Sequence, residues 1–188
     1  LLHNEYDGLN ATRESATLAR DWLLQMGAGA SKNGMTIQYC MPYPRHVLQS
    51  VEVQAVTNIR ASDDYHAGGD QWKLGFSSLV HRSIGVAPSK DNYWSSEHQP
   101  QNNWGENCTE PNSELQSLIS TLTTGPVAPS DKIGLSNASL IMKSCNADGL
   151  LLKPSVPATV VDSTFVFRAF NKGGPDGEVY TTFSDHGR

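Results

Sequence analysis

Apolar and polar positions recur along the chain in two periods, and their order predicts helices and strands in turn. Between residues 15 and 30 ("SATLARDWLLQMGAGA") Leu18, Trp22, Met26 and Ala30 fall on every fourth position, one stripe of a helix that Asn33-Gly34 then closes. "MTIQYCM" (35–41) is a short run of β-formers and reads as a buried strand, followed by the proline-rich loop "PYPRHVLQS". "VEVQAVTNIRAS" carries a second strand in its Val56–Arg60 part, and "QWKLGFSSLVHRSIG" returns to helical period through Trp72, Phe76, Leu79 and Val80. Residues 92–112 form a long polar loop. "SELQSLISTLTTG" predicts a helix with a Ser113/Gln116 capping box, a stripe of Leu115, Leu118, Ile119 and Leu122, and Gly125 at its end. "PVAPSDK" reads as a strand end and loop, and "NASLIMKSCNADG" as a further helix. In the tail, "ATVVDSTFVFRAF" and "GEVYTTFSD" read as hairpin strands around "NKGGPDG".

The order is therefore α-β-α-β-α-β-α and then β-rich. Repeated βα units predict an α/β protein with parallel strands, whose functional residues gather at the C-terminal strand ends.

With 188 residues and 38% hydrophobic content, the chain is long enough for one substantial core. A net charge of -5 without a basic cluster argues against a nucleic-acid partner, and no apolar run approaches the roughly 20 residues of a membrane span. The chain opens on Leu1-Leu2 and stops at Gly187-Arg188 without a structural terminator, which we read as a piece of a longer polypeptide. Cys40, Cys108 and Cys145 are odd in number, so at least one is free or pairs elsewhere. Cys40 reads as a small buried hydrophobe, and Cys108 and Cys145 as disulfide candidates in an oxidising compartment. Sequons at Asn10, Asn107 and Asn137 lie in loop-like or cap-like contexts and, with the apparent processing, predict a secreted or lysosomal glycoprotein.

One stretch concentrates candidate chemistry. "IRASDDYHAGGDQW" (59–72) places Arg60, Asp63 and Asp64 directly after a predicted strand and before a predicted helix. Asp70 is a natural N-cap for that helix. A mixed metal site of His46, Asp63, Asp64, His66 and Asp70 matches no strong ligand spacing, and "GAGASKNG" closes a helix rather than cradling a phosphate, so neither metal nor cofactor is expected.

"IRASDDY", "STLTTGPVAPSDKIG" and "NADGLLLKPSVPATVVD", in this order between Thr36 and Asp162, together resemble the C-terminal barrel half of the raffinose-synthase and α-galactosidase group of glycoside hydrolases. The resemblance implies that residues 1–150 are the second half of a (β/α)8 barrel and residues 151–188 the start of a C-terminal β-domain. "MTIQYCM", "VTNIRAS", "GVAPSKDNYW" and "GPVAPSD" would supply strands five to eight. It also implies retaining chemistry on α-galactosides, with Asp64 as acid/base, Asp63 as the neighbour that tunes it, and Arg60 orienting the pair. Retention requires two carboxyl groups about 5–5.5 Å apart. The family's nucleophile ends strand four; residues 1–14 hold no such strand end, Glu5 and Asp7 being in a polar segment, so the nucleophile is expected upstream of this chain. Met41 and Tyr43 follow strand five, where the family sets sugar specificity, and Asp131 lies in the strand-eight loop on the substrate side. Trp94 and Trp104 in the long loop offer flat faces for a pyranose, with packing against the barrel an equal reading for Trp94. The partners expected are a carbohydrate and the rest of the polypeptide. The alternative is a carbohydrate-binding or structural secreted glycoprotein that keeps the barrel without turnover.

Overall fold

The computed structural model describes the chain apart from residues 72–73, 101, 103–104, 106–107, 171–178 and 186–188. Trp104, the Asn107 sequon, Trp72 and the expected turn at 171–177 lie outside the described residues. The fold is mixed α/β. In chain order the elements are α1 (Leu2–Gly8), α2 (Asn10–Glu14), α3 (Ala16–Lys32), β1 (Ile37–Tyr39), α4 (Pro44–Gln49), β2 (Val56–Arg60), α5 (Gly75–Ser83), β3 (Ala87–Ser89), α6 (Ser113–Leu122), α7 (Ala138–Ile141), β4 (Val156–Val160), α8 (Asp162–Phe170) and β5 (Tyr180–Phe183).

β1, β2 and β3 form a parallel sheet in chain order, with Asn58 of β2 paired to Gln38 on one side and Ala87 on the other. Parallel neighbours need crossover connections, and α4 and α5 supply them. The core lies between this sheet and the helices: Leu23, Tyr39, Val47, Val53, Val56, Ile59 and Val86, with Trp22, Met26, Ile37 and Ile84 packed against it. α3 buries Ala19, Leu23, Gly27 and Ala30, while Leu18 is exposed. The stripe is thus centred one position from the large residues of the sequence pattern. Small side chains bring the helix backbone close to its neighbours; a Cβ on Gly27 would collide with Val53.

Outside the sheet, a fourth segment pairs with the loop after β3 by a single isolated parallel bridge, Tyr93 to Pro129, with Tyr93 N–H donating to Ala128 O at 3.2 Å and Ser130 N–H to Tyr93 O at 2.8 Å. "GPVAPSD" is therefore a bridge and not the strand the sequence predicts; Pro126 and Pro129 have no N–H to donate to a ladder.

Three further expectations are corrected. α5 begins at Gly75, so Asp70 does not cap it; Leu74 stands at the cap position and donates its N–H to the Tyr180 hydroxyl at 3.2 Å. Asn112, not Ser113, occupies the α6 cap; Ser113 Oγ donates to the Glu110 carbonyl at 3.3 Å, and Gln116 is buried with Nε2 donating to the Gly69 carbonyl at 3.4 Å. Residues 162–170 are helical rather than a hairpin strand. Helical spacing brings both Phe165 and Arg168 onto Phe76, at 5.2 Å each, whereas a strand would point residues three apart to opposite faces. β4 and β5 pair antiparallel, and a Cβ on Gly75 of α5 would meet both Val160 and Tyr180.

Gly125 enters the fourth segment pressed against β3: a Cβ there would stand 2.6 Å from Pro88 O and 2.7 Å from Ser89 Cα, both backbone atoms. Gly125→Ala should destabilise the fold by about 1–3 kcal/mol, read as a lowered urea midpoint with unchanged slope; a midpoint equal to wild type would contradict this packing.

Candidate functional site

The parallel strands deliver their C-terminal ends to one side, and the loops that leave them bring Met41, Asp64 and Asp91 onto Arg60 at the end of β2. Arg60, the last residue of β2, is buried. Its Nη2 donates to Asp64 Oδ1 at 2.6 Å and lies 2.6 Å from Met41 Sδ, while Nη1 stands 3.5 Å from Asp91 Oδ2. The guanidinium side chain is 5% exposed and the Asp64 side chain 72%, so the arginine is the fixed member and the carboxylate the reachable one. Met41 adopts φ 52°, the left-handed region that a non-glycine residue rarely occupies outside tight turns and functional sites.

Asp91 ties the two loops together. Its Oδ2 accepts Tyr65 N–H at 2.7 Å, and its own N–H donates to Ser62 Oγ at 2.8 Å. Behind Asp64 lies a buried polar group: Tyr65 Oη donates to Glu110 Oε2 at 2.8 Å and accepts Trp94 N–H at 3.2 Å, and Glu110 also accepts Gly68 N–H at 3.3 Å and Asn112 N–H at 2.9 Å. Burial pushes the Tyr65 phenol well above its ordinary range, and the Glu110 bond adds to this. Lys90 sits over the Tyr65 and Tyr93 rings at 5.2 and 6.0 Å and donates Nζ to the Asn92 carbonyl at 3.0 Å. Desolvation lowers its ammonium to about 8, with Asp91 and Glu110 pulling the other way.

The remaining predicted site residues are placed differently. Asp63 is exposed, and among the described residues its carboxylate has no partner, so Arg60 and not Asp63 is the group that contacts Asp64. Tyr43 turns to α1 and donates to Asp7 Oδ2 at 2.6 Å, which raises its phenol. Trp94 is buried in a cluster with Tyr65, Ala67 and Tyr93 and offers no open face to a sugar. Asp131 is spent on loop closure: its Oδ1 accepts Ser95 N–H at 2.7 Å and Gln99 Nε2 at 2.9 Å, its Oδ2 Ser95 Oγ at 2.6 Å. Lys90, Asp91, Tyr65 and Glu110 were missed. The pair "KD" directly after a strand was the available signal for the first two; Glu110 had none.

Of the sequons, Asn10 Oδ1 accepts from Arg13 at 2.7 Å and Thr12 is buried, whereas Asn137 is exposed and caps α7 through Leu140 N–H at 3.1 Å. All three cysteines are free thiols. Among the described residues no group of three His, Cys, Asp or Glu side chains is placed to hold a metal ion, and no helix is long and apolar enough to cross a membrane. Compared with models of known families and with curated proteins, the sequence matches none.

Two imidazoles in the helices after β1 and β2 are held neutral. Burial lowers both His46 and His81 from 6.5 to about 4; nearby Arg45 adds to the effect on His46, and a hydrogen bond to Ile59 backbone opposes it at His81. Their folded pKa values lie below the unfolded one, so the unfolded chain takes up the protons first. Stability should therefore be complete above pH ~6.5 and fall on acidification toward about 4, approaching two protons bound on unfolding. The pH dependence of the urea midpoint between ~6.5 and ~5 measures this, and a flat profile would contradict it. Separately, Tyr65→Phe leaves Trp94 N–H and Glu110 short of a partner and should cost about 1–3 kcal/mol in the same assay.

Proposed function

We propose that this chain is part of a retaining glycoside hydrolase or transglycosidase acting on α-galactoside-type sugars, with Asp64 as the acid/base and the nucleophile supplied by an aspartate outside residues 1–188. In this reading the three parallel strands and the bridging segment belong to the second half of a (β/α)8 barrel, and the protein works in the secretory pathway. The observation that carries it is the reachable Asp64 carboxylate at the C-terminal end of β2, held by the buried Arg60. α/β proteins bind and transform ligands at such strand ends. Asp91 touches the same guanidinium but spends an oxygen on Tyr65 N–H, so it acts as a positioning residue.

A general acid must carry its proton when the glycosidic oxygen arrives. The Arg60–Asp64 contact therefore opens as substrate enters, and the sugar's hydroxyl groups replace Asp64 as partners of the guanidinium. That same contact favours a second reading, a carbohydrate-binding glycoprotein without turnover, in which the pair stays closed.

The longer polypeptide assayed with 4-nitrophenyl α-galactoside separates the two. Asp64→Asn should lower kcat by about 10²–10⁴-fold while galactose binding persists. Turnover unchanged by the substitution removes Asp64 from the role, and galactose binding without turnover in the wild type selects the second reading.

A further inference from the structure

Between helices α4 and α5 an open cavity of about 370 Å³ lies over the end of β2. Its walls are mostly apolar, from Pro42, Pro44, Val47, Leu48 and Val80, and three polar side chains, Arg60, Ser77 and His81, enter them, of which Arg60 and His81 are the buried ones. This volume lies at the small end of the range for ligand pockets, which are typically apolar with a few placed polar groups.

Arg60 and His81 each bring one atom without a partner among the described residues. Arg60 uses Nη1 and Nη2 on Asp91, Asp64 and Met41, but Nε, a donor, has none. His81 is 5% exposed, and its Nδ1 also lacks a partner. Because Nδ1 is the free nitrogen, the hydrogen bond to the Ile59 backbone runs through Nε2–H, which leaves Nδ1 as the lone-pair acceptor of a neutral ring. A buried donor and a buried acceptor left unmade each cost about 1–3 kcal/mol, so two such atoms on residues that line one cavity ask for a common explanation.

We propose that this cavity binds a small uncharged molecule with an apolar body and a hydroxyl group, the hydroxyl donating to His81 Nδ1 and its oxygen accepting from Arg60 Nε. The neutral ring requires the ligand to donate at Nδ1, and an acid is disfavoured because Arg60 already faces two carboxylates. The apolar wall accounts for the body. Both polar atoms are closed off from solvent, so the ligand reaches them only by displacing side chains of the pocket wall, of which Leu48 and Val80 are 61% and 48% exposed. Nothing in this inference requires Asp64 to turn over a sugar.

The test titrates the full chain with 4-ethylphenol and with ethylbenzene, two probes of the same body that differ in the hydroxyl, by calorimetry and ligand-observed NMR. Wild type should bind the phenol saturably and about tenfold more tightly than ethylbenzene. His81→Leu should bring the phenol down to the ethylbenzene level, and Leu48→Trp, which enlarges an exposed side chain of the wall, should remove binding of both. Equal affinities for the two probes, no saturable binding of the phenol, or binding that survives Leu48→Trp would overturn the proposal. The wild-type comparison and the Leu48→Trp result decide it even where His81→Leu loses its fold.

Discussion

A guanidinium removed from water at the end of β2 is the constraint on which the strand-end architecture depends. Burying an unpaired charge costs several kcal/mol, so Arg60 has to be met by anions, and they arrive from two different loops. Asp64 reaches back from the loop after β2 and Asp91 comes from the loop after β3. Asp91 then fixes Tyr65 through its N–H, and Tyr65 fixes Glu110 and the Trp94 backbone. Through Glu110 the chain of contacts extends to Asn112 at the start of α6. Removing Arg60 would leave this series without the charge that draws its first two members together.

The same series explains why one carboxylate stands out. Asp91 and Glu110 are engaged on backbone amides, and Asp131 is engaged on Ser95 and Gln99. Asp64 alone of the carboxylates on Arg60 combines a rigid buried partner with an open side chain. Catalytic acids need that combination of fixed orientation and access, as do groups that bind a polar ligand without reacting. The geometry gives a reachable carboxylate on a fixed cation at a strand end, and under the proposed carbohydrate reading the choice between turnover and binding falls to the groups that oppose Asp64.

Much of the frame was legible in the sequence because it rests on local rules. β2 follows its run of β-formers from Val56 to Arg60, and α3 follows its four-residue period. The centre of the buried face of α3 was not legible, because Gly27 and Ala19 matter through what they allow to approach and not through their own hydrophobicity. α8 was misread since its phenylalanines favour a strand in isolation, and only Phe76 makes the helical spacing pay. At the site, Asp64 and Arg60 could be found from position along the strand. Glu110 could not, since its partners Tyr65 and Gly68 are more than 40 residues away, and the choice between stacking and packing at Trp94 stayed open since burial cannot be read from residue type.

The most direct measurement is mass spectrometry of the protein, with the further segment the proposal requires, after incubation with 2-deoxy-2-fluoro-α-galactosyl fluoride, which accumulates the covalent intermediate of a retaining enzyme. The account predicts one fluorogalactosyl ester per chain, on an aspartate outside residues 1–188, that persists longer once Asp64 is replaced by Asn, because fluoride leaves without a general acid while hydrolysis of the ester needs the base. No adduct on a protein that still binds galactose would contradict it, and Asp64 would then be a ligand for sugar and not an acid.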